Sequence, residues 1–275
     1  MRTVARLLEL HGATVRCLGM PEGVPHPTAD LFSAMQGAEA IILPLPATRD
    51  GVFPTAAAGV AVPRLSDIFS RAEDECLCLG GMLPPTLLAM AAEAGIETAD
   101  YYQSETLLEK NAALTAEAAI AMAITDLPVS LTGATVCVIG AGRIARHLTR
   151  LLRAFSADVR VYARRAEARK EAEGWGATVY PITAGEVLCL EKSTRAVFCT
   201  VPHLLFDRAA TKQLPTGIPF YDLGGGGIDR EAAEACGILL PPSAALPGTC
   251  SPESAGEYLF DEIRAIILKK RGVLL

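Results

Sequence analysis

The sequence predicts an α/β protein of two doubly wound parallel-sheet domains, and three observations carry that expectation. The first is a strand, glycine turn, helix, strand unit over residues 135–165, TVCVIGAGRIARHLTRLLRAFSADVRVYARR. The second is the alternation of short apolar or β-branched runs with helical apolar spacing on both sides of that unit. The third is punctuation: runs such as 40–43 and 75–79 stop at Pro44-Leu45-Pro46 and Gly80-Gly81.

In the central unit, Val136, Val138 and Ile139 make the first strand, and Gly140, Gly142 and Ala145 follow as G-x-G-x-x-A. Gly140 permits the tight turn, Gly142 lets a pyrophosphate approach the backbone, and Ala145 keeps the helix close to the sheet. The pyrophosphate then sits on the helix N-terminus, where amides and the helix dipole favour an anion. Arg143, beside Gly142, is a candidate phosphate contact. The second strand ends at Ala163, where an NAD site carries Asp or Glu for the ribose hydroxyls. Arg164 and Arg165 follow instead, and the guanidinium fork suits a phosphate. The unit therefore reads as a Rossmann-type nucleotide site for NADP, with NAD the alternative cofactor.

Composition bounds the rest. Hydrophobic residues make up 51% and aromatics 5%, so Ala, Val, Leu and Ile fill the core. A net charge of −6 argues against a nucleic-acid surface. Among the eight cysteines, Cys137 and Cys199 stand inside apolar strands, and Cys76 and Cys78 lack a second pair or histidine at zinc spacing. Reduced structural thiols, no metal and a cytoplasmic setting are expected. No apolar run is long enough to span a membrane. The basic residues 269–271 read as a solvated helix end at the negative pole of the helix dipole.

Residues 1–110 read as an N-terminal, substrate-side α/β domain. A helix opens it, followed by a strand over 14–18, whereas such a domain normally begins with a strand; either that opening strand is absent or the chain starts short. Helices over 30–35, 65–71 and 85–94 alternate with strands over 40–43 and 75–79. Thr48 and Arg49 follow the 40–43 strand, in the kind of loop that binds ligands, and are candidates for an anionic substrate. A helix over 104–124 connects the domains; on it Asn111 and Thr115 share a face while Glu117 points elsewhere.

Residues 111–252 read as the NADP-binding domain with its linker helix. After residue 165, strands over 177–180, 196–200, 219–223 and 238–240 alternate with helices over 167–173, 184–190, 207–213 and 230–236, giving six strands in all. Thr200, Val201, Pro202 and Leu223 stand at strand ends that line a cofactor cleft, and His203 beside them is a candidate acid or base. The four glycines 224–227 leave room for a ligand or a neighbouring backbone. Residues 241–252 read as a long loop. Residues 253–275 read as a C-terminal helix packing back on the N-terminal domain.

Five segments carry a family resemblance, spread over nearly the whole chain: AEAIILPLPAT from Ala38, NAALTAEAAIAMAI from Asn111, TVCVIGAGRIA from Thr135, FYDLGGGGID from Phe220 and LPGTCSPESAG from Leu246. In this order they resemble the A subunit of dipicolinate synthase, a family similar in layout to two-domain 2-hydroxyacid dehydrogenases. The resemblance implies oxidation of a dihydrodipicolinate-type intermediate to dipicolinate in sporulation, and a second, flavoprotein-like subunit as partner. The family opens with a strand and a glycine-containing turn that this chain lacks, and its glycine loop carries Ser and Pro before Gly-Gly. On this reading Thr48 and Arg49 pair a carboxylate of a dicarboxylate substrate seated between the domains. Asn111, Thr115 or Glu117 orient the ring or move a proton, and a homo-oligomer is expected. Two other readings stay open. One is an NADP-dependent dehydrogenase of the two-domain hydroxyacid type, whose Arg, acid and His set is not evident here. The other is a non-catalytic nucleotide-binding subunit.

Overall fold

The computed structural model describes residues 1–20, 23–28, 30–48, 63–183 and 188–272. The chain divides into two units, Met1–Lys110 with Pro252–Leu275, and Asn111–Ser251. The first runs α1 (Arg2–Leu10), β1 (Cys17–Leu18), β2 (Pro27–Thr28), α2 (Leu31–Met35), β3 (Ala40–Ile42), α3 (Leu65–Phe69), β4 (Leu77–Gly80), α4 (Pro85–Glu93) and β5 (Glu97–Asp100). Strands β3, β4 and β5 form a parallel sheet in that order, and β1 and β2 form a separate parallel pair. Alternation along β4 directs Leu77 and Leu79 toward Val4 and Leu8 of α1. Cys78 turns the other way, toward Ile68 and Phe69 of α3 and Leu87 of α4. Helices thus cover both faces, as a parallel sheet requires. Asp30 caps α2 by accepting from the Ser33 amide at 2.8 Å. The edge strand β5 is four residues, Glu-Thr-Ala-Asp, with no apolar run to betray it in the sequence.

Helix α5 (Glu105–Asp126) runs from the first unit into the second. The Ser104 hydroxyl accepts from the Leu107 amide at 3.3 Å, which fixes its start. The second unit continues with β6 (Thr135–Ile139), α6 (Arg143–Ala154), β7 (Asp158–Ala163), α7 (Ala166–Gly174), β8 (Thr178–Pro181) and β9 (Thr194–Cys199). It closes with α8 (Arg208–Thr211), β10 (Phe220–Asp222), α9 (Arg230–Ala235) and α10 (Leu246–Cys250). Its five strands are all parallel, in the order β10-β9-β6-β7-β8. The first strand, β6, is central; the chain winds outward to β8, then returns to the other side for β9 and β10. This is the doubly wound arrangement read from the sequence, with its reversal between β6 and β9. Val136 and Val138 pack with Leu148 and Leu152 of α6 and with the small residues Ala116, Ala119 and Ala123 of α5. Cys137 and Ile139 face Phe206, Ala210 of α8 and Ala233 of α9.

Three elements differ from the sequence pattern. Residues 238–240 do not form a sixth strand: Leu239 makes only an isolated bridge with Pro219, because Pro241 and Pro242 follow at once and offer no amide donors. Of the helix expected over 184–190, residues 184–187 lie outside the described residues. Leu188 to Leu190 are not helical. Leu188 and Leu190 turn into the core while Cys189 faces out, a period of two rather than 3.6. The expected loop 241–252 contains α10, where Pro247 occupies the first turn and its missing amide costs nothing.

Helix α11 (Pro252–Arg271) completes the first unit. Its Phe260 and Ile263 share a core with Val4, Leu8, Leu77 and Leu79. Arg6 of α1 pairs with Glu253 at 2.8 Å. Lys270 and Arg271 are not simply solvated: they meet Glu97 of β5 at 2.5 and 3.1 Å, and the Lys270 hydrogen bond holds that carboxyl below its ordinary range. The α1–α11 contact is closest at Gly256, where a Cβ would lie 2.3 Å from Thr3 Cβ. Gly256→Ala should therefore destabilise the first unit by about 1–3 kcal/mol, as overpacking of a rigid contact does. Urea unfolding reads this directly, and a wild-type midpoint would show that the two helices part freely.

Candidate functional site

The site candidates of the second unit gather at the carboxyl ends of β6, β7, β9 and β10. Gly140 ends β6 with φ +103°, and its amide donates to the Tyr162 carbonyl at 2.8 Å. A Cβ on Gly140 would stand 2.4 Å from Thr200 Oγ1 and 3.0 Å from Val201 Cγ1. Thr200 itself donates twice to the Ile139 carbonyl, from its amide and its hydroxyl, each at 2.9 Å. The ends of β6 and β9 are thereby fixed, backbone to backbone. Gly142 is the N-cap of α6, with φ −95°, and a Cβ there would meet nothing within 4 Å. The fingerprint glycines differ accordingly: Gly140 is empty because protein fills the place, whereas Gly142 opens on space above the helix N-terminus. Ala145 is fully buried against the sheet, Arg143 is exposed. These residues fit a dinucleotide pyrophosphate, since the cradle is open and a glycine N-cap brings no side chain to fill it.

At the end of β7, Ala163 is buried, and Arg164 and Arg165 are exposed. Sequence reasoning missed Arg169. From α7 it reaches back and donates to the carbonyls of Ala163 and Arg164 at 2.9 and 2.6 Å. Its place one turn into the helix after the strand was the available signal. The strand end thus carries no acid, is braced by Arg169 and is followed by two exposed arginines.

At the end of β10, Leu223 and Gly224 both donate to the Cys199 carbonyl, at 2.8 and 3.0 Å. The Gly224 backbone lies directly against Val201: a Cβ would be 2.5 Å from both C and O of that residue. A Cβ on Gly227 would be 2.4 Å from Cys199 Sγ. Burial pushes the Cys199 thiol up to about 12, so it stays protonated. Asp222 accepts from the amides of Gly225, Gly226 and Gly227, at 3.1 Å, 2.7 Å and 3.2–3.3 Å. Val201 is half-buried, and Pro202 and His203 are exposed.

The remaining candidates lie elsewhere. Thr115 is buried and its hydroxyl donates to the Asn111 carbonyl at 2.8 Å, while Glu117 is exposed. Thr48 belongs to the first unit, where the amide of its neighbour Ala47 donates to Gly81 at 2.8 Å. Arg49 lies outside the described residues. A cavity of about 310 Å³ lies off the glycine cradle, lined by the stacked rings of Tyr162 and Tyr180 with Ile182, Leu188, Cys189 and Glu191. Among the described residues no His, Cys, Asp and Glu cluster could hold a metal, and no helix is long and apolar enough to cross a membrane.

Residues 1–102 match the N-terminal domain of the dipicolinate synthase A subunit. Residues 101–212 match the NAD binding domain of D-isomer specific 2-hydroxyacid dehydrogenases. The dipicolinate synthase A subunit of Bacillus subtilis (strain 168) is 26% identical over 235 residues, covering 84% of this chain and 78% of that protein. The chain is thus similar to dipicolinate synthase A subunits over most of its length. The fold agrees: the crystal structure of the B. subtilis protein superposes with a TM-score of 0.79 at 22% identity, covering 97% of this chain and 92% of that one. The A subunit from Bacillus halodurans gives 0.80 at 24% identity, covering 97% and 93%. The second unit is thus a dehydrogenase-type domain for a nicotinamide cofactor.

The two fingerprint glycines should respond differently to alanine. Gly142→Ala is expected to unfold at the wild-type temperature yet bind nicotinamide dinucleotides at least roughly tenfold more weakly, because its Cβ enters the pyrophosphate space. Gly140→Ala should cost about 2 kcal/mol of stability through φ strain and the Thr200 clash. Thermal unfolding beside fluorescence titration separates the two outcomes.

Proposed function

We propose that the chain is an NADP-dependent oxidoreductase that converts a dihydrodipicolinate-type intermediate to dipicolinate in sporulation, working with a second, flavoprotein-like subunit. The observation that carries this reading is the open Gly140–Ala145 cradle in a chain whose first 102 residues match the N-terminal domain of the dipicolinate synthase family. The bound nicotinamide would accept the hydride lost when the dihydropyridine-type ring becomes aromatic. The residues of this chain would do the rest. Gly140, Gly142, Ala145 and Arg143 hold the pyrophosphate, and Arg164 and Arg165 bind the 2′-phosphate. Thr200, Val201, Pro202 and Leu223 line the nicotinamide end. Thr48 and Arg49 pair a substrate carboxylate, which suits their place after a parallel strand. Thr115 has committed its hydroxyl hydrogen to the Asn111 carbonyl, so it offers substrate only an acceptor. Asn111 orients the ring, and the proton that leaves with the hydride falls to Glu117 or His203, both exposed and able to pass it to water.

A second reading, a dehydrogenase of the two-domain hydroxyacid type, is favoured by the match of residues 101–212. Freshly generated dihydrodipicolinate supplied with NADP⁺, with and without the flavoprotein-like partner, decides between them. Dipicolinate matched by NADPH supports the proposal. Turnover of 2-hydroxy acids alone favours the second reading. No turnover under any condition leaves a nucleotide-binding subunit that only supports its partner.

Cofactor choice has its own test. Each charge-assisted hydrogen bond to the 2′-phosphate is worth about 1.5–3 kcal/mol. With at least one such bond from each arginine, the double variant Arg164→Ala, Arg165→Ala should therefore bind NADPH at least roughly 100-fold more weakly and NADH unchanged. Equal or tighter binding of NADH by the wild type would overturn the NADP assignment.

A further inference from the structure

We infer that Asp222 is a positioning residue for the nicotinamide end of the site, an inference that rests on the cofactor reading above. Three consecutive amides, those of Gly225, Gly226 and Gly227, converge on its carboxylate at 2.7–3.3 Å. Gly225 and Gly226 have φ +72° and +103°, so successive N–H groups point to one side. Such a concavity ordinarily takes an anion from solution. Here the chain supplies the anion from the last residue of β10, level with Cys199 of β9. The glycine loop is therefore set before any ligand arrives.

The consequence reaches the proposed site through backbone alone. Gly224 precedes the three amides and lies against the Val201 peptide at a distance that leaves no room for a Cβ. At the far end of the loop, the Gly227 carbonyl accepts from the amides of Leu205 and Phe206 at 3.1 and 3.0 Å. The loop is thus pinned at both ends to the segment that carries Val201, Pro202 and His203. Releasing it at Asp222 shifts that wall and leaves the β7 end, with its arginines, untouched. The wild-type carboxylate has two acceptor oxygens; an amide in its place keeps the shape but turns an NH₂ group toward the loop donors. The Gly225 and Gly226 amides are on exposed residues and can turn to water, while the buried Gly227 amide can keep the retained carbonyl oxygen as its acceptor.

The test compares each cofactor with the same molecule lacking nicotinamide: NADPH with 2′-phospho-ADP-ribose, and NADH with ADP-ribose. Asp222→Asn should weaken the preferred cofactor at least tenfold and leave its fragment within about twofold of wild type. Gly226→Ala disturbs the same loop through its φ without touching the carboxylate, should give the same split, and decides the matter should Asp222→Asn not fold. Equal losses for cofactor and fragment mean a merely structural role and overturn the assignment, as do unchanged affinities for both. A wild type that binds only the NADH pair defeats the NADP reading and leaves Asp222 to be judged on that pair. A wild type that binds neither pair defeats the cofactor reading and this assignment with it.

Discussion

The second unit depends on the meeting of three neighbouring strand ends at glycines that have no room for a side chain of their own. Gly140 against Thr200, Gly224 against the Val201 peptide and Gly227 against Cys199 Sγ each leave less than 2.6 Å for a Cβ. The Thr200 amide and hydroxyl, both on the Ile139 carbonyl, and the two amides on the Cys199 carbonyl close the same seam. Each glycine costs roughly 0.5–1 kcal/mol of chain entropy relative to alanine. That cost is spread over a sheet whose central strand has Val136, Cys137, Val138 and Ile139 fully buried. A wall made of backbone cannot supply acid–base chemistry. It can present a rigid, nearly uncharged surface, which leaves specificity to the few side chains at its rim.

Those rim charges follow opposite logic at the two ends of the edge. At β7 the guanidiniums of Arg164 and Arg165 stand in water, where ion pairs are worth little until a phosphate is held in place. Arg169 spends its donors on carbonyls of the strand end and braces it. At β10 the charge is negative, and three amides of its own loop already satisfy it. The chain as a whole carries −6, so the arginine cluster runs against the global balance and acts locally. On the proposed cofactor reading, one end receives an anion and the other excludes one.

This division explains what the sequence revealed and what it hid. The glycine cradle was legible because its constraint is local: strand, turn and helix are consecutive, and each glycine has its reason within a few residues of Gly140. The six strands were read from apolar runs, and five are regular, since burial on both faces demands such runs. Elements governed by distant partners were not legible. Strand β5 is polar and owes its existence to pairing with β4. Leu188 to Leu190 have a helical composition, but the pairing of Glu191 with Arg160 of β7 and the burial of Leu190 draw the segment out. Asp222 looked like one more strand-end residue, because nothing in the pattern D-L-G-G-G-G says that three amides turn back to it.

The same distinction applies to the chain's last helix. From its own periodicity α11 is an amphipathic helix like any other. Its partners are fixed largely by the small residue at Gly256, which admits Thr3 of α1, and by Phe260 and Ile263, which complete the core around Leu77 and Leu79. Burying two such side chains is worth about 1.5–3 kcal/mol each, so the first unit lacks a substantial part of its core until the segment after Ser251 returns to it. The second unit, Asn111–Ser251, is continuous and draws on no such return. Loop closure across that whole unit must precede the contacts that reward it. The second unit can therefore fold from local contacts first, and the first unit completes its core only when α11 returns to it.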